Sequence, residues 1–142
     1  MTDWKALIDI YELHLRQGRA DLVVRSLQGR GFGRIPRQWI LPLANIARRT
    51  GLSSLGLRLL SPVVMPKTGQ TATGPEIAEY AVLLQKIGAI EESSRMLALI
   101  DRERVPESSL YRAFYHFHRW DPAAAADNSG SICFAICPIM RA

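Results

Sequence analysis

Three glycines punctuate the chain at nearly equal intervals, and the residues around them fall into register. Gly18, Gly51 and Gly88 stand 33 and 37 residues apart. Counted back from each glycine, the eleventh residue is Leu7, Ile40 or Ile77, the eighth is Ile10, Leu43 or Tyr80, and the seventh is Tyr11, Ala44 or Ala81. Counted forward, the fifth is Val23, Gly56 or Ser93, and the ninth is Leu27, Leu60 or Leu97. Residues three and four apart share one face of a helix. Glycine accepts the positive φ that commonly ends a helix. Each block therefore reads as helix, tight turn, helix. One hairpin cannot bury both of its apolar faces, so neighbouring copies must complete the core.

The local signals fill in this frame. Trp4, Leu7, Ile8, Tyr11 and Leu15 predict a helix over 3–17, with Thr2 or Asp3 as cap, and a second helix follows over 20–28. Gly29 to Gly33 reads as a loop between repeats, although Gln28 to Arg34 also has the composition of a short Arg/Gly RNA-binding segment. Pro36 suits the first turn of the next helix. Pro42 then implies either a helix that starts near Leu41 or a kink. Ser53 or Ser54 is the expected cap of the following helix, and 61–74 reads as a linker. Further helices are expected over 75–88, 90–100 and 107–119. The last is aromatic on several sides and calls for a cover. The expected fold class is all-α; only Ser131 to Ile136 has any strand character.

The segments Trp4-x2-Leu7-x3-Tyr11 with Ala20, and Ala81-x6-Gly88-x-Ile90-Glu91-Glu92-Ser93, resemble the tetratricopeptide repeat family, whose unit is about 34 residues. In the second segment Ser93 stands where the family usually has alanine. The resemblance covers about residues 3–121, as three repeats and the start of a fourth. It implies stacked antiparallel helix-turn-helix repeats, a TPR-like α-solenoid of about three and a half units. Residues 1–121 would form the helical-repeat domain. Residues 122–142 form a tail of atypical composition: Asp121, just before it, and Pro122 open a helix, and an uncharged run over 131–140 follows. That run is not expected to be repeat sequence.

In the family, the first helix of each unit lines a concave groove that commonly holds acidic or C-terminal peptide segments. Carried over by the glycine alignment, the groove positions are Lys5, Glu12 and Arg16, then Gln38, Asn45, Arg48 and Arg49, then Gln85 and Lys86. The resemblance thus implies a partner-binding set of Arg16, Asn45, Arg48, Arg49 and Lys86, and a protein-protein interaction scaffold. Arg and Lys can pair with carboxylates, and the Asn amide can hold a peptide backbone. An acidic peptide or protein fits such a set.

Charge keeps an alternative open. Residues 1–60 carry ten basic and four acidic side chains, whereas 61–142 carry eight and nine. A nucleic-acid-binding helical-repeat protein could use the basic N-terminal half. Arg25, Arg58 and Arg95 recur seven residues after each glycine and are expected on an outer, solvated face. Other classes fare worse. Cys133 and Cys137 are the only cysteines, too few for a disulfide scaffold or a four-thiolate zinc site. His116 and His118 point in different directions on a helix, so no metal is expected. No nucleophile, base and orienting group can be read from spacing, so neither enzymatic activity nor a cofactor is expected. No apolar run approaches the roughly 20 residues that span a bilayer, and a cytoplasmic location is the expectation. The cover of the aromatic C-terminal helix could be a following helix, a partner or, by self-association, another copy of the chain.

Overall fold

The computed structural model describes residues 2–66, 69–100, 105, 107–119, 121, 123, 124 and 126. Among them run seven helices and no strand: α1 Trp4–Arg16, α2 Ala20–Gly29, α3 Arg37–Arg49, α4 Ser53–Val64, α5 Gly74–Lys86, α6 Ile90–Ala98 and α7 Glu107–His118. The chain divides into two compact units, Met1–Thr71 with α1 to α4 and Ala72–Ala142 with α5 to α7. The weak strand candidate, both cysteines and the 131–140 run lie outside the described residues.

The same turn closes every hairpin. Gly18, Gly51 and Gly88 have φ of 71°, 81° and 87°. Their N–H groups donate to the carbonyls of Leu15, Arg48 and Gln85, each at 3.1 Å. The next residue in each case closes a wider ring: Arg19 to His14 and Leu52 to Ala47 at 2.8 Å, and Ala89 to Leu84 at 2.9 Å. This pair of bonds is the Schellman arrangement, which satisfies carbonyls a helix end leaves open. The wider ring recurs after α7, where Asp121 N–H donates to the His116 carbonyl at 3.0 Å. There Asp121 Oδ1 also accepts the Ala124 N–H at 3.2 Å, and Ala123, Ala124 and Ala126 are helical. The expected cap at Asp121 is therefore present.

The helix boundaries settle the alternatives at some positions and differ from expectation at others. Of the two candidate caps for α1, Asp3 is used and accepts the Ala6 N–H at 3.1 Å. Neither Ser53 nor Ser54 caps α4; the helix follows from the turn, with Leu52 preceding it and no side-chain bond. Pro36 is the residue before α3 rather than inside its first turn. α3 starts at Arg37 and runs on through Pro42. α4 likewise continues past Pro62 to Val64, because Val63 is buried and its packing outweighs one lost backbone bond. Arg37 then ties back the linker that follows, donating to Gln70 Oε1 at 3.0 Å and to the Thr71 carbonyl at 2.9 Å.

Burial follows the columns of the repeat. Tyr11, Ala44 and Ala81 are buried, as are Val23, Gly56 and Ser93, and Leu27, Leu60 and Leu97. In the first unit, α1 packs on α2 and on α3, and α3 packs on α4. Ile8, Tyr11, Val23, Leu27, Leu43 and Ile46 form its core. Tyr11 Oη and Ser26 Oγ share a 2.7 Å hydrogen bond between α1 and α2. Phe32 packs its loop onto this core, which reads as an inter-repeat connection. In the second unit α5, α6 and α7 pack on one another around Ala78, Ala81, Leu97, Ile100 and Val105. Gly74 admits Val105 there, since a Cβ on Gly74 would stand 2.6 Å from Val105 Cγ2.

Some buried polar groups contradict their surroundings, among them the hydroxyls of Ser93 and Ser108. The Ser93 hydroxyl is fully enclosed and has no hydrogen-bond partner among the described residues. An unmet buried hydroxyl costs about 1–3 kcal/mol. Ser93→Ala keeps the small volume that the close helix approach requires. It is expected to raise stability by about 1 kcal/mol, a rise in Tm of roughly 3 °C, measured by thermal unfolding.

Candidate functional site

The expected groove positions divide between the two units. Arg16, Asn45, Arg48 and Arg49 lie in the first, and Lys86 in the second. Within the first unit α1 and α3 are side by side, so residues far apart in the chain share one surface. Arg16 is exposed in the last turn of α1. Asn45 and Arg48 are half-buried on α3, and both side chains are engaged. Arg49 is exposed but donates to Glu12 Oε1 on α1 at 2.7 Å. Lys86 is exposed in the last turn of α5.

The glycine alignment orders these residues in two columns. Arg16, Arg49 and Lys86 share one column, two residues before each turn glycine. A cation there also meets the negative end of its own helix dipole, which accounts for part of its presence. Glu12 and Asn45 share another column, six before the glycine. Glu12 is therefore the acidic member of an otherwise polar and basic row. It holds Arg49 in place and offsets its charge. The bridge is partly exposed, so by itself it adds on the order of 0.2–1 kcal/mol to stability.

The second unit has its own polar groups, and most are tied to the fold. Arg112 donates to the carbonyl of Leu97 and, at 3.1 Å, to that of Ile100, satisfying open carbonyls at the end of α6. It borders a shallow recess of about 440 Å³ that also includes Ser94, Tyr115 and His116. Arg119 donates to Tyr115 Oη at 2.8 Å and to Glu91 Oε1 at 3.1 Å. The hydrogen bond to Tyr115, then the charges of Tyr115 and Glu91, push its guanidinium above the ordinary value. This cluster is on the surface, where it joins the start of α6 to the end of α7.

Among the described residues, no group of three or more His, Cys, Asp or Glu is placed to hold a metal ion. Among those residues, no helix is long and apolar enough to cross a membrane. Arg25, Arg58 and Arg95 are all exposed, as their outer column implied. Comparison with known proteins returned no matching family model, no matching curated protein and no matching solved structure.

Proposed function

We propose that this chain is a non-enzymatic protein-interaction module built from tetratricopeptide-like repeats. It binds an acidic peptide segment on the α1–α3 surface of its first unit, without a cofactor. The observation that carries the reading is the side-by-side placement of α1 and α3, joined by Glu12 and Arg49. It brings Arg16, Asn45, Arg48 and Arg49 to neighbouring helices of one compact unit. A ligand carboxylate would compete with Glu12 for Arg49, while the Asn45 amide holds the peptide backbone. In this reading Glu12 keeps the arginine ordered when the groove is empty.

The pairing gives two substitutions of opposite sign. Arg48→Ala/Arg49→Ala is expected to weaken peptide binding roughly tenfold or more, because charge-assisted bonds are the strong ones. Glu12→Gln releases Arg49 and is expected to tighten binding about two- to fivefold. Capture from cell extract by the full chain, with and without nuclease, provides the first check. A protein that survives nuclease treatment and is lost in the double-arginine variant supports the groove.

A second reading is nucleic-acid binding by the basic N-terminal half. The outward exposure of Arg25 and Arg58 on α2 and α4 favours it. Material lost on nuclease treatment would select it. Phosphate contacts release counterions, so such binding weakens steeply with salt.

A further inference from the structure

Between Asp21 and Glu76 the chain carries no acidic side chain, and within that stretch the connection after α2 reads Gly29-Arg30-Gly31-Phe32-Gly33-Arg34. Arg30 is the only arginine in the sequence with a glycine on each side. The structure also sets it apart. Arg25, Arg58 and Arg95 are exposed but sit inside helices. Arg37, Arg49, Arg112 and Arg119 are held by hydrogen bonds. Arg30 is the first residue beyond α2, exposed, with extended backbone at φ −94° and ψ 125°. Among the described residues its side chain makes no hydrogen bond or ion pair, and no backbone bond ties down 30–34. A Cβ built on Gly29, Gly31 or Gly33 meets nothing within 4 Å, so the backbone on both sides of Arg30 is open to approach. Phe32 packs on the core of the first unit and thereby holds the loop in place with Arg30 outside it.

An enzyme that modifies a guanidinium must take it into a narrow pocket while the flanking backbone lies against the pocket mouth. Glycine permits that close approach because it has no Cβ. On a helix, side chains three and four residues away stand over the arginine and keep the mouth at a distance. We propose that Arg30 is a site of arginine N-methylation, with S-adenosylmethionine as methyl donor and a transferase with an acidic substrate cleft as the enzyme. A guanidinium nitrogen attacks the methyl carbon of the donor. The N–C bond forms as the C–S bond breaks, the sulfonium leaves as a neutral thioether, and the nitrogen gives up a proton to a base of the transferase. Arg30 stays a cation but loses an N–H donor and gains bulk, which blocks two-pronged bonding to phosphate or carboxylate. The long stretch without carboxylates suits an acidic cleft, and Arg34 adds a second charge to the same loop. The inference rests on this loop and not on the peptide groove, so either can fail while the other stands.

The test uses the folded full chain, a purified arginine methyltransferase that accepts Gly-Arg-Gly peptides, and S-adenosylmethionine with a tritiated methyl group. The native chain should take up label, and peptide mapping should find it on Arg30. Arg30→Lys should lower incorporation roughly tenfold or more. Gly31→Val has room in the fold and should lower it by a similar factor, because the added side chain keeps the backbone from the pocket mouth. Arg34→Lys should retain most of the label. Circular dichroism should show the same helical content in every variant. Mass spectrometry of the chain isolated from the cells that make it should find methyl groups on Arg30. A native chain that takes up no label would overturn the proposal, as would an Arg30→Lys chain labelled as strongly as the native one. Label that enters only after thermal unfolding, or an unmethylated Arg30 in the chain from cells, has the same consequence.

Discussion

Leu43→Ala is expected to destabilise the protein by about 2–5 kcal/mol, while Ile10→Ala, in the same column of the repeat, costs under about 1 kcal/mol. Leu43 is fully enclosed among Ile8, Tyr11, Val23, Leu27 and Ile46, so truncation removes apolar burial and leaves a cavity that rigid helices cannot close. Ile10 occupies the equivalent place on α1, but half of it is already in water. Urea unfolding of the two variants measures the contrast. Equal costs would contradict the difference in burial between the enclosed Leu43 and the half-exposed Ile10.

Gly51→Val is expected to cost about 2 kcal/mol, and Gly51→Asn under about 1 kcal/mol. Nothing lies within 4 Å of a Cβ placed on Gly51, so the added Cβ itself meets no neighbour. The cost is that of holding an L side chain at φ 81°, which is greatest for a β-branched residue and small for asparagine. Failure to hold it also releases two bonds, Gly51 to Arg48 and Leu52 to Ala47, at the turn that joins α3 to α4. Thermal unfolding of the pair separates the backbone cost from side-chain packing. A Val variant as stable as the Asn variant would show that the turn does not require the left-handed conformation.

The hairpins were legible because their signals are local. A glycine at positive φ, an apolar stripe at helical spacing and a small residue at a close approach all lie within a few residues of one another. Gly18, Gly51 and Gly88 carried that information, and the burial of Ala44, Ala81 and Leu97 follows from it. What was not legible depends on distant partners. The run from Ser61 to Gly74 reads as a linker by its proline and glycine, yet Val63 finds a buried place and extends α4 past Pro62. The end of α7 lacks the glycine that marks the others. Its remaining signal is Ala113, buried seven residues before position 120, together with Asp121 just after it. At the candidate site the residue types could be assigned to first helices. The Glu12–Arg49 bridge joins residues on two helices, and no periodicity within either helix reveals it.

The most direct test of the peptide-groove account is the affinity of the full chain for a dye-labelled glutamate-rich peptide with a free C-terminus. It should be measured by fluorescence anisotropy across a salt series, beside a dye-labelled single-stranded RNA. The account predicts that Glu12→Gln binds the peptide most tightly, the native chain less so, and Arg48→Ala/Arg49→Ala weakest by roughly tenfold or more. Equal affinities across the three proteins would contradict it. So would RNA binding that falls steeply with salt while the peptide fails to bind, with a slope of about −0.7 for each phosphate contacted.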